Sequence, residues 1–209
     1  MKVLIADDHA VVRRGLKEIL ADEYETLLVG EAQNGEDALR LVREQDWEIV
    51  VLDISMPGKN GLEVLKELRQ VRPITPVLIL TNHAEELYAV RALRAGAAGY
   101  MTKESAPEHL IEAVRKVVRG GRYITPGLAE LLAQTIGGDV DKLPHESLSD
   151  RELQVLLMIA SGKTVGQVAD MLSLSVPTIS TYRARILEKM GMKTNAELTH
   201  YAISSNLAR

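Results

Sequence analysis

The sequence predicts two domains of different class. The first is an α/β domain on a doubly wound, five-stranded parallel sheet. The second is a smaller all-α domain of four helices. Three observations carry this. Short apolar runs alternate five times with helical-period segments through residue 120, the pattern of a parallel sheet covered on both faces. After residue 147 there are helix-start signals and no strand pattern. The charge changes too: residues 1–120 hold 16 Lys/Arg against 20 Asp/Glu, residues 121–146 hold 2 against 4, and residues 147–209 hold 7 against 5. At 209 residues the chain is long enough for two hydrophobic cores.

The strands fall at residues 2–6, 27–32, 48–52, 76–80 and 99–101, where Val, Leu, Ile and Ala cluster. The helices fall at 10–21, 35–44, 62–71, 85–95 and 107–119, with Ser105 and Glu108 at the spacing of a capping box for the last. Residues 1–120 make up this domain. Residues 121–146 read as a linker rich in Gly and Pro, with a short helix at 128–136. Residues 147–209 then carry helices at 150–161, 165–172, 176–190 and 195–205. Ser149 with Glu152, Thr164 with Gln167, and Thr194 with Glu197 have capping-box spacing; Ser175 precedes Val176-Pro177; Gly162 and Gly191 are placed to end helices.

Composition excludes several functions. The chain has no cysteine, so disulfides, thiolate nucleophiles and zinc–thiolate sites are ruled out, and a reducing, cytoplasmic setting is expected. Runs such as Val77-Leu78-Ile79-Leu80 are far too short to cross a bilayer, and no signal peptide is visible. No membrane partner is expected.

Ligands of such sheets bind beyond the carboxyl ends of the strands. There the sequence places Asp7 and Asp8 after the first strand, Asp53 after the third, Thr81 after the fourth and Lys103 after the fifth. In a 2-1-3-4-5 strand order the first and third strands are neighbours, so the three carboxylates would repel unless a cation joined them. All-oxygen ligation suits Mg²⁺. A carboxylate beside Mg²⁺, an amine and a hydroxyl can attack phosphorus and become an aspartyl phosphate. Each residue alone has a plainer reading: Asp8, for one, could cap the first helix. His9 beside two Asp could suggest a metal site, but its plainer reading is the loop entering the first helix; His83, His109, His145 and His200 are scattered and show no ligand spacing.

The runs Val3-Leu4-Ile5-Ala6-Asp7-Asp8-His9, Val51-Leu52-Asp53-Ile54-Ser55-Met56-Pro57-Gly58, Leu80-Thr81 and Gly99-Tyr100-Met101-Thr102-Lys103 resemble a two-component receiver domain of flavodoxin-like fold. The resemblance implies that Asp53 is the phosphoacceptor. It implies Mg²⁺ on Asp8, Asp53 and the Ser55 main-chain carbonyl, with Asp7 acting partly through water. Thr81 and Lys103 would bind the phosphoryl group, and Tyr100 would be the aromatic that turns inward on activation. Glu104 stands where the family often has Pro, so no cis peptide is expected there.

In the tail, helices at 165–172 and 176–190 are separated by a short turn, which makes a helix-turn-helix. The second carries Ser180, Thr181, Tyr182, Arg183, Arg185 and Lys189 off its apolar face, a pattern suited to a DNA major groove. The plainer alternative is an interaction domain with a solvated basic face. Leu148-Ser149-Asp150-Arg151-Glu152-Leu153 and Leu174-Ser175-Val176-Pro177-Thr178-Ile179-Ser180-Thr181-Tyr182-Arg183 resemble a LuxR-type DNA-binding domain. With the receiver, the chain is similar to response regulators of the NarL/FixJ family. By that resemblance Ser180, Thr181 and Ala184 face bases, while Tyr182, Arg183, Arg185 and Lys189 meet phosphates and groove walls.

The expected function is a phosphorylation-gated transcription regulator. A sensor histidine kinase would phosphorylate Asp53, and the tail would bind double-stranded promoter DNA, as a homodimer when phosphorylated. Leu198, Ala202 and Leu207 are either a dimer surface or core. Two rivals stay open. An Asp-dependent phosphatase would need a general acid near Asp53, often an Asp two residues on, where Ser55 stands. A phosphorylation-independent DNA binder or protein-interaction adaptor would use the first domain only as a docking surface.

Overall fold

The computed structural model describes residues 1–137, 143–205 and 207. Two compact units divide the chain, Met1–Gly138 and Asp139–Arg209.

In the first unit, strands β1 (Lys2–Ala6), β2 (Leu28–Ala32), β3 (Ile49–Leu52), β4 (Val77–Thr81) and β5 (Gly99–Thr102) form one sheet in the order β2-β1-β3-β4-β5. Every pairing is parallel. The helices between them are α1 (Ala10–Glu23), α2 (Gly35–Glu44), α3 (Gly61–Val71) and α4 (Glu85–Arg94), with α5 (Ala106–Val118) after β5. Val3, Ile5, Ile49, Val51, Leu78 and Leu80 pack with Leu16 and Leu20 of α1 and Leu110, Val114 and Val117 of α5. The alternate strand residues Leu4, Val50, Leu52 and Ile79 are equally buried and project to the other face. Burial on both faces explains the unbroken apolar strands.

One expected helix cap is not formed, and the plainer reading of Asp8 is ruled out. Ser105 does not cap α5. Its backbone is already in the right-handed helical region, and its hydroxyl donates to the Thr102 carbonyl at 2.9 Å instead of accepting from the helix. Asp8 does not cap α1 either. The N-cap position is His9, and it is Asp7 Oδ1 that accepts the His9 N–H at 2.8 Å. The remaining strand and helix limits agree with expectation to within two residues.

The segment read as a linker from residue 121 is largely part of the first unit. Tyr123 forms a parallel bridge with Gly99 on the free edge of β5, its N–H donating to the Ala98 carbonyl at 2.9 Å. Helix α6 (Pro126–Gly137) packs on α4, with Leu128 fully buried. The first unit therefore runs beyond residue 120, because the apolar side chains of Tyr123 and Leu128 find burial on it. Gly138, also read as linker, lies outside the described residues.

The second unit contains a 3-10 turn (Pro144–Ser147) and helices α7 (Asp150–Ala160), α8 (Val165–Leu172), α9 (Val176–Met190) and α10 (Asn195–Ser204). The capping boxes Ser149/Glu152 and Thr164/Gln167 are both formed. Ser175 accepts from the Thr178 N–H, and Gly162 and Gly191 take positive φ at helix ends. Thr194 accepts from the Glu197 N–H, but Glu197 reaches back to Lys193 N, so that box closes one residue early. The α8–α9 turn is made at Ser173, whose φ of 54° is left-handed without glycine. Leu198, Ala202 and Leu207 are buried in this unit, which makes them core.

Gly61 ties the fold to the loop after β3. A Cβ on it would lie 2.0 Å from the Asp53 carbonyl oxygen, and its N–H donates to the Ile54 carbonyl at 2.9 Å. Gly61→Ala should destabilise the first unit by about 2 kcal/mol, since backbone must shift to admit the methyl. Trp47, the chain's one tryptophan, is buried in this unit, so its fluorescence during urea unfolding reads the effect. An unchanged midpoint would refute the close approach.

Candidate functional site

The carboxyl edge of the sheet gathers the predicted acids. Asp7 and Asp53 directly follow β1 and β3, which pair with each other, and both are almost fully buried. Their backbones extend the strands: Asp7 N–H donates to the Ala32 carbonyl at 3.1 Å and Asp53 N–H to the Ala6 carbonyl at 2.8 Å. Lys103, just past β5, reaches across. Its Nζ lies 2.7 Å from Asp7 Oδ2 and 2.8 Å from Asp53 Oδ2, with the side chain 8% exposed. Burial disfavours the ammonium, but Asp53 and Asp7 together outweigh it and hold its pKa above the usual lysine value.

Two polar atoms here are left over. Asp53 Oδ1 and Thr81 Oγ1 are buried without a hydrogen-bond partner. Unsatisfied buried groups are costly and mark a strained or functional place. Asp8 is more open, at 30% side-chain exposure, and the His9 Nδ1 lies 2.8 Å from its Oδ1 and 3.2 Å from Asp7 Oδ1. Asp7, Asp8, His9 and Asp53 each offer a ligand atom within 4.8 Å of the others. Three carboxylates, one with a buried uncommitted oxygen, fit a hard divalent cation such as Mg²⁺.

Sequence reasoning passed over two residues that the fold brings in. His83 follows β4, and its Nε2 lies 2.8 Å from Ser55 Oγ. Burial lowers the His83 pKa and Lys103 adds to this, against the opposing pull of Asp53, so the ring is neutral at pH 7. Its place two residues after Thr81 was the available signal; metal-ligand spacing was the wrong filter. Arg13, on α1, is buried and donates to the Asp7 carbonyl at 2.8 Å and to Glu31 at 2.9 Å, pinning the loop after β1. Tyr100 is fully buried, and its hydroxyl donates to the carbonyls of His83 at 2.9 Å and Ala84 at 3.3 Å. Burial, with Tyr88, Glu85 and Asp53 adding negative potential, pushes that phenol far above its usual pKa.

In the second unit, Ile179, Ile186 and Met190 bury one side of α9. Ser180, Thr181, Ala184 and Arg185 are exposed on the other, paired at i,i+4 along one stripe. Thr181 Oγ1 donates back to the Pro177 carbonyl at 3.0 Å. Tyr182 and Arg183 flank the stripe half-buried, and Arg183 Nε donates to Asn195 Oδ1 at 2.5 Å. Lys189 donates to Glu152 Oε2 at 2.6 Å, so α9 is fastened to the first turn of α7. Glu152 closes a capping box and takes this ammonium with one carboxylate. Burial raises its pKa, but the bonds from Lys189 and Ser149 prevail and leave it below the usual value.

The pattern of the family described as "Response regulator receiver domain" matches residues 3–115, and that described as "Bacterial regulatory proteins, luxR family" matches residues 146–202. The chain belongs to the response regulators. It is a NarL/FixJ-type member, a family of DNA-binding transcription regulators. This response regulator is 41% identical to the response regulator GacA of Pseudomonas aeruginosa over 97% of its own length and 95% of the relative's. It is 38% identical to the response regulator UvrY of Escherichia coli over 99% of its length and 95% of that protein's. Among solved structures it resembles RcsB of Salmonella enterica serovar Typhimurium bound to the promoter rprA with the phosphomimetic BeF3-. The TM-score is 0.65 at 26% identity, covering 98% of this chain and 99% of that one. No helix among its described residues is long and apolar enough to cross a membrane.

Two predictions follow from these geometries. Mg²⁺ at a hundredfold excess over its Kd should stabilise the first unit by about 2.7 kcal/mol, read from Trp47 fluorescence on melting. Asp8→Ala should erase that gain; a wild-type chain that ignores Mg²⁺ would rule the site out. In the second unit, the depressed Glu152 pKa means that the ionised carboxylate contributes stability above the usual carboxylate range. That contribution is lost as the pH falls through the folded-state pKa. Glu152→Gln should therefore cost about 1.5 kcal/mol at pH 7. The gap to wild type should shrink below about pH 4.5. Calorimetry reads it in the transition that Trp47 fluorescence does not follow, and a gap constant with pH would refute the ion pair.

Proposed function

We propose that Asp53 accepts a phosphoryl group from a sensor histidine kinase, and that this switches the DNA binding or dimerisation of the second unit. The observation that carries the reading is the buried Lys103 ammonium, shared between Asp7 and Asp53, beside an Asp53 oxygen and a Thr81 hydroxyl that have no partner. An Asp53 carboxylate oxygen forms the new P–O bond while the P–N bond of the donor's phosphohistidine breaks. The electron pair of that bond stays on the imidazole nitrogen. Lys103 neutralises charge on the phosphoryl oxygens, and Thr81 donates its hydroxyl hydrogen to one of them. Asp7, Asp8, Asp53 and the Ser55 carbonyl would hold Mg²⁺, which when bound supplies further charge neutralisation. Tyr100 repacks with the β4–α4 loop it already touches.

The second unit presents α9 to the major groove of promoter DNA, with Ser180, Thr181 and Ala184 toward bases. Tyr182, Arg183, Arg185 and Lys189 lie toward phosphates and groove walls, Lys189 at the expense of its bond to Glu152. The exposed stripe on α9 supports this, as does the likeness to RcsB, one of whose structures is described as two dimers bound to two parallel DNAs. A protein that meets promoter DNA and a kinase's phosphohistidine in this way acts in the cytoplasm.

The test is a binding selection on genomic fragments with Mg²⁺, with and without a small acyl-phosphate donor, for wild type and Asp53→Asn. The donor should raise the affinity of the wild type for one shared motif by about 5–150-fold. Asp53→Asn should gain neither mass nor affinity. Donor-driven tightening in Asp53→Asn would overturn the phosphoacceptor assignment, and equal binding in all arms would favour a phosphorylation-independent DNA binder.

A further inference from the structure

The path from Asp53 to the end of the first unit runs through a small set of polar contacts. Two residues past Asp53, the Ser55 hydroxyl meets His83 Nε2 at 2.8 Å. His83 and Ala84 lead into α4, and their carbonyls hold the Tyr100 hydroxyl. Glu85 is the first residue of α4. Both its carboxylate oxygens lie close to Thr125 Oγ1, at 2.8 and 2.7 Å. Thr125 immediately precedes α6, and the same Oγ1 accepts the Leu128 N–H at 3.1 Å.

One atom therefore serves two helices. The Thr125 hydroxyl has a single hydrogen, which it donates to Glu85, and lone pairs with which it caps α6. A displacement of Glu85 acts on the cap directly. The neighbourhood leaves little slack. Leu128 is fully buried, and Tyr123 fastens the preceding chain to the β5 edge. Upstream, Thr81 keeps a buried hydroxyl without a partner four residues before Glu85. A phosphoryl group on Asp53 would bring acceptor oxygens to that hydroxyl and draw on the Lys103 ammonium, at the start of the strand–loop segment that ends in Glu85.

We infer that Glu85 and Thr125 form a latch that holds α6 on α4, and that phosphorylation of Asp53 loosens it through the 81–85 segment. The inference rests on Asp53 being the phosphoacceptor. It makes α6 the responsive arm of the first unit, and among the described residues α6 is that unit's last element.

The test is amide hydrogen exchange of residues 128–133 in the full chain with Mg²⁺, before and after an acyl-phosphate donor, with intact mass recording phosphoryl uptake. Glu85→Ala removes the latch and leaves the cap. Thr125→Val removes both, and Thr125→Ser restores both. Wild type and Thr125→Ser should exchange at least about fivefold faster after phosphorylation. Glu85→Ala and Thr125→Val should exchange fast without donor and respond no further, while taking up the phosphoryl group as wild type does. Normal uptake with exchange unmoved by donor or by Glu85→Ala overturns the latch. Absent uptake in wild type overturns the Asp53 reading, and the latch with it. Glu85→Ala leaves the α6 cap in place, so the latch is judged on that variant even if Thr125→Val fails to fold.

Discussion

Lys103 lies between two buried carboxylates that belong to different strands, and the architecture of the first unit follows from putting it there. Asp7 and Asp53 stand at the ends of adjacent strands, where they would repel each other in a medium of low dielectric. The ammonium that reconciles them comes from the far side of β4, at the end of β5. Parallel pairing brings these three ends to one edge, and the order β2-β1-β3-β4-β5 makes Asp7 and Asp53 neighbours there. The apolar strands and the helices on both faces keep the edge rigid. Gly61 lets α3 start directly against the Asp53 backbone, and Arg13 anchors the loop that carries Asp7.

The same economy shows in what is left unsatisfied. A fully satisfied cluster would be inert. Here an Asp53 oxygen and the Thr81 hydroxyl remain buried and unpaired, while Ser55, His83 and Tyr100 around them are all hydrogen-bonded. The unpaired atoms are suited to chemistry, and the bonded ones to relaying its effect.

The second unit solves a different problem, holding one helix so that its polar stripe stays in water. Glu152 does much of this. It caps α7 and accepts Lys189 from α9, so the start of one helix and the end of another share a carboxylate. Ile179, Ile186 and Met190 then face inward, and Ser180, Thr181, Ala184 and Arg185 outward.

Period, capping chemistry and glycine placement are local, so the ten helices and five strands of the described residues were legible without the fold, as were Asp7, Asp53, Thr81 and Lys103 at strand ends. The sequence also placed the turn between α8 and α9, though Ser173 adopts left-handed φ with no glycine to announce it. What it left open depends on contacts between residues far apart in the chain. The hydroxyl of Ser105 could cap α5 or bond Thr102, and the tertiary path of β5 into α5 chose the second. Leu198 and Ala202 had the pattern of either core or dimer surface, and packing inside the second unit made them core. Residues 121–137 looked like linker because Gly and Pro set local stiffness, whereas the burial of Tyr123 and Leu128 is a property of the surface they meet. The pairing of Glu85 with Thr125, of His83 with Ser55 and of Glu152 with Lys189 has no local signature at all, because each joins residues that only the fold brings within hydrogen-bond reach.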